Sequence, residues 1–236
     1  MRKSSPTRLI LAASFAGAIA LLASCAPQAT APVSVSKPPP VASIPHRPYP
    51  PMGAPAGLAL PPLKADGKRL TVNSGLSSAQ TLWSLRSAYN VAALNCLKPQ
   101  HEAILPGYAN FLKTHSKSLK QANSDLDRTF KAEHGSSKHI RAREAVQTQI
   151  YNFFAYPPVL PALCDAVVSL SQDIVSIAPG QLEGYAPEAL ARLDGVYQQF
   201  YTSYAQYEAD VAAWDARYGA GPSVAAGSSS GQSLAQ

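Results

Sequence analysis

The chain has 236 residues, with 20 Lys and Arg against 14 Asp and Glu, and a formal net charge of +6. Three of the basic residues fall in the first 24 positions, where no acid sits, so the remainder carries 17 against 14, or +3. That balance removes the main electrostatic support for a nucleic-acid partner.

Arg2, Lys3 and Arg8 give a positive start, and an apolar run from Leu9 to Ala23 follows, broken only by Ser14 and Gly17. A membrane-spanning helix needs about 20 apolar residues. This run is shorter and ends in small residues, as a secretory signal does. Leu22-Ala23-Ser24-Cys25 resembles the lipobox of bacterial lipoproteins. The resemblance implies that residues 1–24 are a signal peptide and that Cys25, acylated with fatty chains of the palmitate kind, opens the mature protein. Ala26, where many such proteins carry an aspartate that retains them in the inner membrane, implies the outer membrane of a diderm bacterium. The partner so implied is the membrane itself, reached through the N-terminal lipid.

Residues 26–62 contain twelve prolines and almost no apolar period. Proline removes a backbone donor and fixes φ, so residues 25–62 are expected to form a lipidated, disordered tether. At about 3.1 Å per residue it reaches on the order of 100 Å when fully extended. Residues 63–74 are expected to be irregular and to pack on the domain that follows, which spans 63–218. Residues 219–236, rich in Gly, Ser and Ala and without charge, are expected to be a disordered tail.

Within the domain the apolar period is helical throughout. The first helix is predicted over 78–97, capped by Ser77 or Ser78 and closed by Pro99, with Leu82, Leu85, Tyr89, Ala93 and Cys96 in one stripe. The second starts near Pro106 and stops before Gly135, burying Tyr108, Leu112, His115, Leu119, Ala122 and Leu126. The third covers 138–155, with Ile140, Val146, Ile150 and Phe153 inward, and Pro157-Pro158 ends it. The fourth covers 161–178, burying Leu163, Val167, Leu170, Ile174 and Ile177. The fifth is the longest. Leu190, Leu193, Tyr197, Phe200, Tyr204, Tyr207, Val211, Trp214 and Tyr218 alternate steps of three and four, an a/d seam kept for four heptads. The expected fold is all-α: an antiparallel bundle of about five helices with a long C-terminal helix.

Lipidation of Cys25 leaves Cys96 and Cys164, and an exported domain with two cysteines suggests a disulfide. Short connections make successive helices antiparallel. The end of the first helix and the start of the fourth then meet at one end of the bundle, where these two cysteines lie.

Little in the sequence carries catalytic chemistry. His101-Glu102 opens like a zinc-protease helix, but position 105 is Leu, so the pair is expected in a solvated loop. His134 and His139 flank the turn Gly135-Ser136-Ser137, where Glu133 could complete a metal set; a surface turn is the plainer reading, and no metal site is assigned. His115 lies on an inward stripe without a nucleophile beside it. Ser34-Val35-Ser36-Lys37 has a serine–lysine spacing but falls in the tether. No nucleotide or cofactor fingerprint is present.

Charge is uneven. Residues 98–144 hold nine basic and five acidic residues, whereas 159–218 hold two and eight. The two halves are expected to attract each other. Lys113, Lys117 and Lys120, on one face of the second helix, are a candidate surface for anionic lipid headgroups, lipopolysaccharide or an acidic envelope partner. Tyr197, Tyr201, Tyr204, Tyr207 and Trp214 form an aromatic band; a core helix whose hydroxyls reach the bundle edge is the plainer reading, and a groove for a protein or an apolar ligand is the alternative that makes them a candidate binding surface. The expected function is a non-catalytic, membrane-anchored envelope lipoprotein that binds or supports another component. A carrier of an apolar ligand would instead show a closed cavity beside Tyr204 and Trp214, and an envelope hydrolase would show polar groups converging in a cleft.

Overall fold

The computed structural model describes residues 43–219; from Ser78 onward they are α-helical apart from short connections, and residues 43–77 are irregular, with one isolated bridge between Leu63 and Arg69. The segment read as a signal peptide, Cys25, the Ser34–Lys37 spacing and the residues beyond Gly219 lie outside the described residues. Six helices follow in order: α1 Ser78–Asn95, α2 Ile104–Thr114, α3 Ser116–His134, α4 His139–Phe154, α5 Leu160–Ile174 and α6 Leu182–Trp214.

α1 starts with a reciprocal cap: Gln80 N donates to Ser77 Oγ at 3.3 Å, and Ser77 N donates to Gln80 Oε1 at 2.8 Å. It is the hub, packing against all five other helices. Its expected stripe is buried, and so are Ser84, Ser87, Ala88, Val91 and Ala92 on its other sides. A helix enclosed on nearly every face needs no strong polar–apolar asymmetry, only small residues that let its neighbours approach.

The segment predicted as one second helix is two. His115, at φ −104 and ψ 18, leaves the helical region and separates α2 from α3. The break lets α2 lie against α1 and α5 while α3 lies against α1 and α4. Five of the six stripe residues, Tyr108, His115, Leu119, Ala122 and Leu126, remain buried, while Leu112 is half-buried.

α4 packs on a different face from the one its apolar residues suggest. Ile140 is 60% exposed and Val146 39%. The inward row is Arg143, Gln147, Ile150 and Phe154, because Trp83 of α1 accepts polar partners from this helix.

α6 begins eight residues before the predicted Leu190. Leu182, Ala186 and Ala189 extend the seam backwards and are buried. Gly184 and Pro187 obscure this start in the sequence; Pro187 lies inside the helix, where it removes the hydrogen bond that Glu183 O would otherwise accept, and burial of the flanking seam carries the helix past it. At 33 residues, α6 is about 50 Å long. Its seam is buried as far as Tyr207, while Val211, Trp214 and Tyr218 are only half-covered.

The C-terminal part of the expected tether is not free. Residues 44–62 lie against α6, bent by a 3-10 turn at Pro51–Gly53, with Ala54 buried and Leu58 and Leu60 packed on the core. We call this segment the arm. Beyond it, residues 63–74 fold onto the domain as expected. Arg69 N donates to Gln198 Oε1 at 2.8 Å while Gln198 Nε2 returns a bond to Arg69 O at 2.9 Å. Asp194 accepts from Thr71 Oγ1 and Asn73 Nδ2 at 2.8 and 2.9 Å.

Cys96 and Cys164 are bonded, with their Cα atoms 5.6 Å apart. The bridge joins the end of α1 to the start of α5, the pairing that the short connections require.

Candidate functional site

The aromatic band of α6 is mostly interior. Tyr197 is 1% exposed; its ring stacks on Phe153 at 4.0 Å between centroids, and its hydroxyl donates to Phe154 O at 2.8 Å. Burial pushes that hydroxyl far above the usual tyrosine range. Tyr204, also enclosed, donates to Pro55 O and accepts from Leu58 N, both at 2.8 Å. Tyr207 meets Tyr204 edge-on at 5.3 Å. Trp214 donates through Nε1 to Pro45 O at 2.8 Å, and Arg47 forms a two-bond pair with Asp215 at 2.7 and 2.9 Å. Of the residues singled out as a docking surface, Tyr204 and Trp214 are therefore held by this chain's own arm, and Tyr197 is packed against α4.

The recognition is specific in kind. Proline carbonyls have no N–H of their own residue to pair with, and an aromatic O–H or N–H that meets them is the way extended proline-rich segments are commonly gripped. Tyr201, half-buried, lines an open groove of about 380 Å³ with Leu58, Pro61, Phe153 and Tyr156. Beside Tyr204 and Trp214, where a carrier would need its cavity, lie Pro55, Leu58 and Pro45 of the arm.

The lysines do not share one helix. Lys113 ends α2, and Lys117 and Lys120 follow the break on α3. All three are exposed, and among the described residues none of them forms an ion pair. The expected attraction between a basic and an acidic half is barely realised. Arg143 pairs with Asp127 at 3.2 Å and Arg192 with Asp173 at 2.6 Å, each within its own half, while His101 meets Asp165 across the halves.

His101 is 4% exposed rather than solvated, and its Nε2 lies 2.8 Å from Asp165 Oδ1, one residue from the bridged Cys164. Its neighbour Glu102 is exposed. His115 is 2% exposed, packs on Phe111 and has no partner for Nδ1. Burial pulls its imidazole below the usual histidine range. His134 stacks on Phe130 at 5.8 Å, and His139 Nδ1 lies against Ser136 O at 3.0 Å. Among the described residues, no three His, Cys, Asp or Glu side chains gather as a metal ion would need.

One cluster is absent from the sequence reading. Trp83 stands at the junction of α1, α3 and α4, with the guanidinium carbons of Arg86 and Arg143 at 4.9 and 5.5 Å from its ring centre. Its indole N–H donates to Gln147, which in turn donates to Ser87 Oγ at 3.1 Å and so fixes the ring. Arg86 donates to Tyr151 OH at 3.2 Å, and that hydroxyl donates to Asn90 at 3.0 Å. The signal was present: Trp83 and Arg86 lie three apart on α1, both outside its apolar stripe.

No protein-family profile, curated protein or solved structure matches this chain.

Proposed function

We propose that this chain is a lipid-anchored accessory module of a bacterial outer membrane, held through Cys25, whose helical domain binds or supports another envelope component without catalysis. The observation that carries this reading is the Cys96–Cys164 bridge in a domain that follows a secretory leader. Disulfides persist where the compartment is oxidising, as the periplasm is. The anchor and the domain are also joined more tightly than the proline count suggests. With the arm docked from Ile44, only residues 26–43 separate it from Cys25. At 3.3–3.6 Å per residue, they cannot hold the domain more than about 65 Å from the lipid.

A supporting role also fits how the polar groups are used. Asp194, Gln198, Tyr197, Tyr204 and Trp214 all lock backbone segments in place. Two experiments test the reading. Cell fractionation should find the wild type with the membrane and the Cys25→Ser chain released or retained as uncut precursor. Equal membrane retention of mature Cys25→Ser protein contradicts the anchor. Crosslinking in the intact envelope, read by mass spectrometry, should join the domain to a second envelope component; only self-links would contradict the accessory role.

A further inference from the structure

A groove beside Trp83 whose lining holds no acidic residue has the chemistry of a ligand site. It is lined by Trp83 and Arg86 of α1 and by Leu112, Ser116, Leu119, Lys120 and Asn123 across the α2–α3 break, and encloses about 330 Å³. Two cations face it and no carboxylate lines it. A neighbouring groove, which shares Trp83 and Arg86 with it, holds Asp127 and Glu144 beside Arg143. Among the described residues, neither Arg86 nor Lys120 has an ion-pair partner. Asn123 accepts from Arg143 through Oδ1, which leaves its amide N–H groups as donors. The floor is the fixed indole of Trp83, and Leu112 and Leu119 form an apolar wall.

We infer that this groove binds the anionic headgroup of a membrane lipid. Arg86 and Lys120 hold the phosphate, Asn123 and Ser116 donate to its oxygens, and Trp83 with Leu112 takes the first apolar atoms. Three features select this occupant. At about 330 Å³ the groove has room for a phosphate headgroup. The apolar wall beside paired cations suits an amphiphile better than an acidic peptide. The groove is open, so an acyl tail can remain in the bilayer, and Lys113 and Lys117 flank it with further positive charge. Leu112, Ser116, Leu119, Lys120 and Asn123 keep the one-face spacing i, i+4, i+7, i+8, i+11 across the break at His115.

The test uses the mature chain with Cys25→Ser, so that no covalent lipid contributes, and with Trp214→Phe, so that Trp83 is the sole tryptophan. Binding is measured to phosphatidylcholine vesicles with and without phosphatidylglycerol, together with quenching of Trp83 by brominated phosphatidylglycerol. Binding to the anionic vesicles with Trp83 quenching is expected. Arg86→Gln with Lys120→Gln should weaken it by about tenfold or more, taking each cation near the surface as about tenfold at most. The exposed pair Lys131→Gln with Lys138→Gln removes equal charge elsewhere and should weaken it far less. Lys120→Glu, a solvent-facing change that leaves the melting temperature in place, should weaken it by itself. Equal loss in the Lys131/Lys138 pair, no quenching of Trp83, or stronger competition by poly-glutamate than by soluble short-chain phosphatidylglycerol would each overturn the inference.

Discussion

At the scale of single residues, the close approach of α2 to α1 depends on Gly107. A Cβ at this position would collide with the hydroxyl of Tyr89, which donates to Ser171 Oγ at 2.8 Å; Ser171 in turn donates to Val167 O at 2.7 Å. In an open helix, Gly→Ala gains up to about 1 kcal/mol. Here the hydroxyl is enclosed and cannot move aside, so Gly107→Ala should destabilise the domain by about 1–3 kcal/mol. In a Tyr89→Phe background the same change should cost clearly less, and chemical denaturation of the four chains of this cycle measures the coupling. A second residue-scale effect is acid sensitivity. His115 has its pKa lowered by burial, so the fold favours its neutral form. Its contribution is fully present above about pH 6.5, the unfolded value, and is lost as pH falls through the folded one. Melting temperatures should therefore drop more steeply between about pH 7 and about pH 5 in the wild type than in His115→Gln. Equal slopes would remove this account of His115.

At the scale of elements, α6 makes two separate claims. Its seam is core: Phe200 is fully buried and Gln199 beside it is exposed. Phe200→Ala should cost about 3–5 kcal/mol, through lost burial and the cavity left behind. Gln199→Ala should change stability by only a few tenths of a kcal/mol. The arm claim is tested by Tyr204→Phe, which keeps the ring and removes the hydroxyl that joins Pro55 O to Leu58 N. Hydrogen exchange at the Leu58 amide should accelerate, while the Arg69 amide, held by Gln198, should be unchanged.

These elements also show where the sequence was legible. The seam from Leu190 to Tyr207 was readable because one face of a long helix stays buried, so its period survives; the earlier start was not, because Gly184 and Pro187 look like an interruption. Nothing at His115 marks a break, since no glycine or proline stands there and apolar residues continue across it. Ile140 and Val146 misled because apolar type stood in for burial, when Arg143 and Gln147 were turned inward by Trp83. The arm was hidden for a different reason. It is held by backbone carbonyls of prolines, which carry no side-chain period.

At the scale of the whole molecule, one covalent bond and one docked arm tie distant parts of the chain together. The bridge spans a sequence separation of 68 and, by the chain-entropy argument, contributes roughly 4 kcal/mol. Alkylation without reduction should leave Cys96 and Cys164 unmodified, and reduction should lower the melting temperature. The proposed lipid anchor lies on the segment that precedes the arm in the chain, so the account as a whole turns on Cys25. The most direct measurement is mass spectrometry of the N-terminal peptide of the protein extracted from membranes. The account predicts a peptide that begins at Cys25 and carries the added mass of fatty acyl chains; a peptide that begins elsewhere, or an unmodified Cys25, would contradict it.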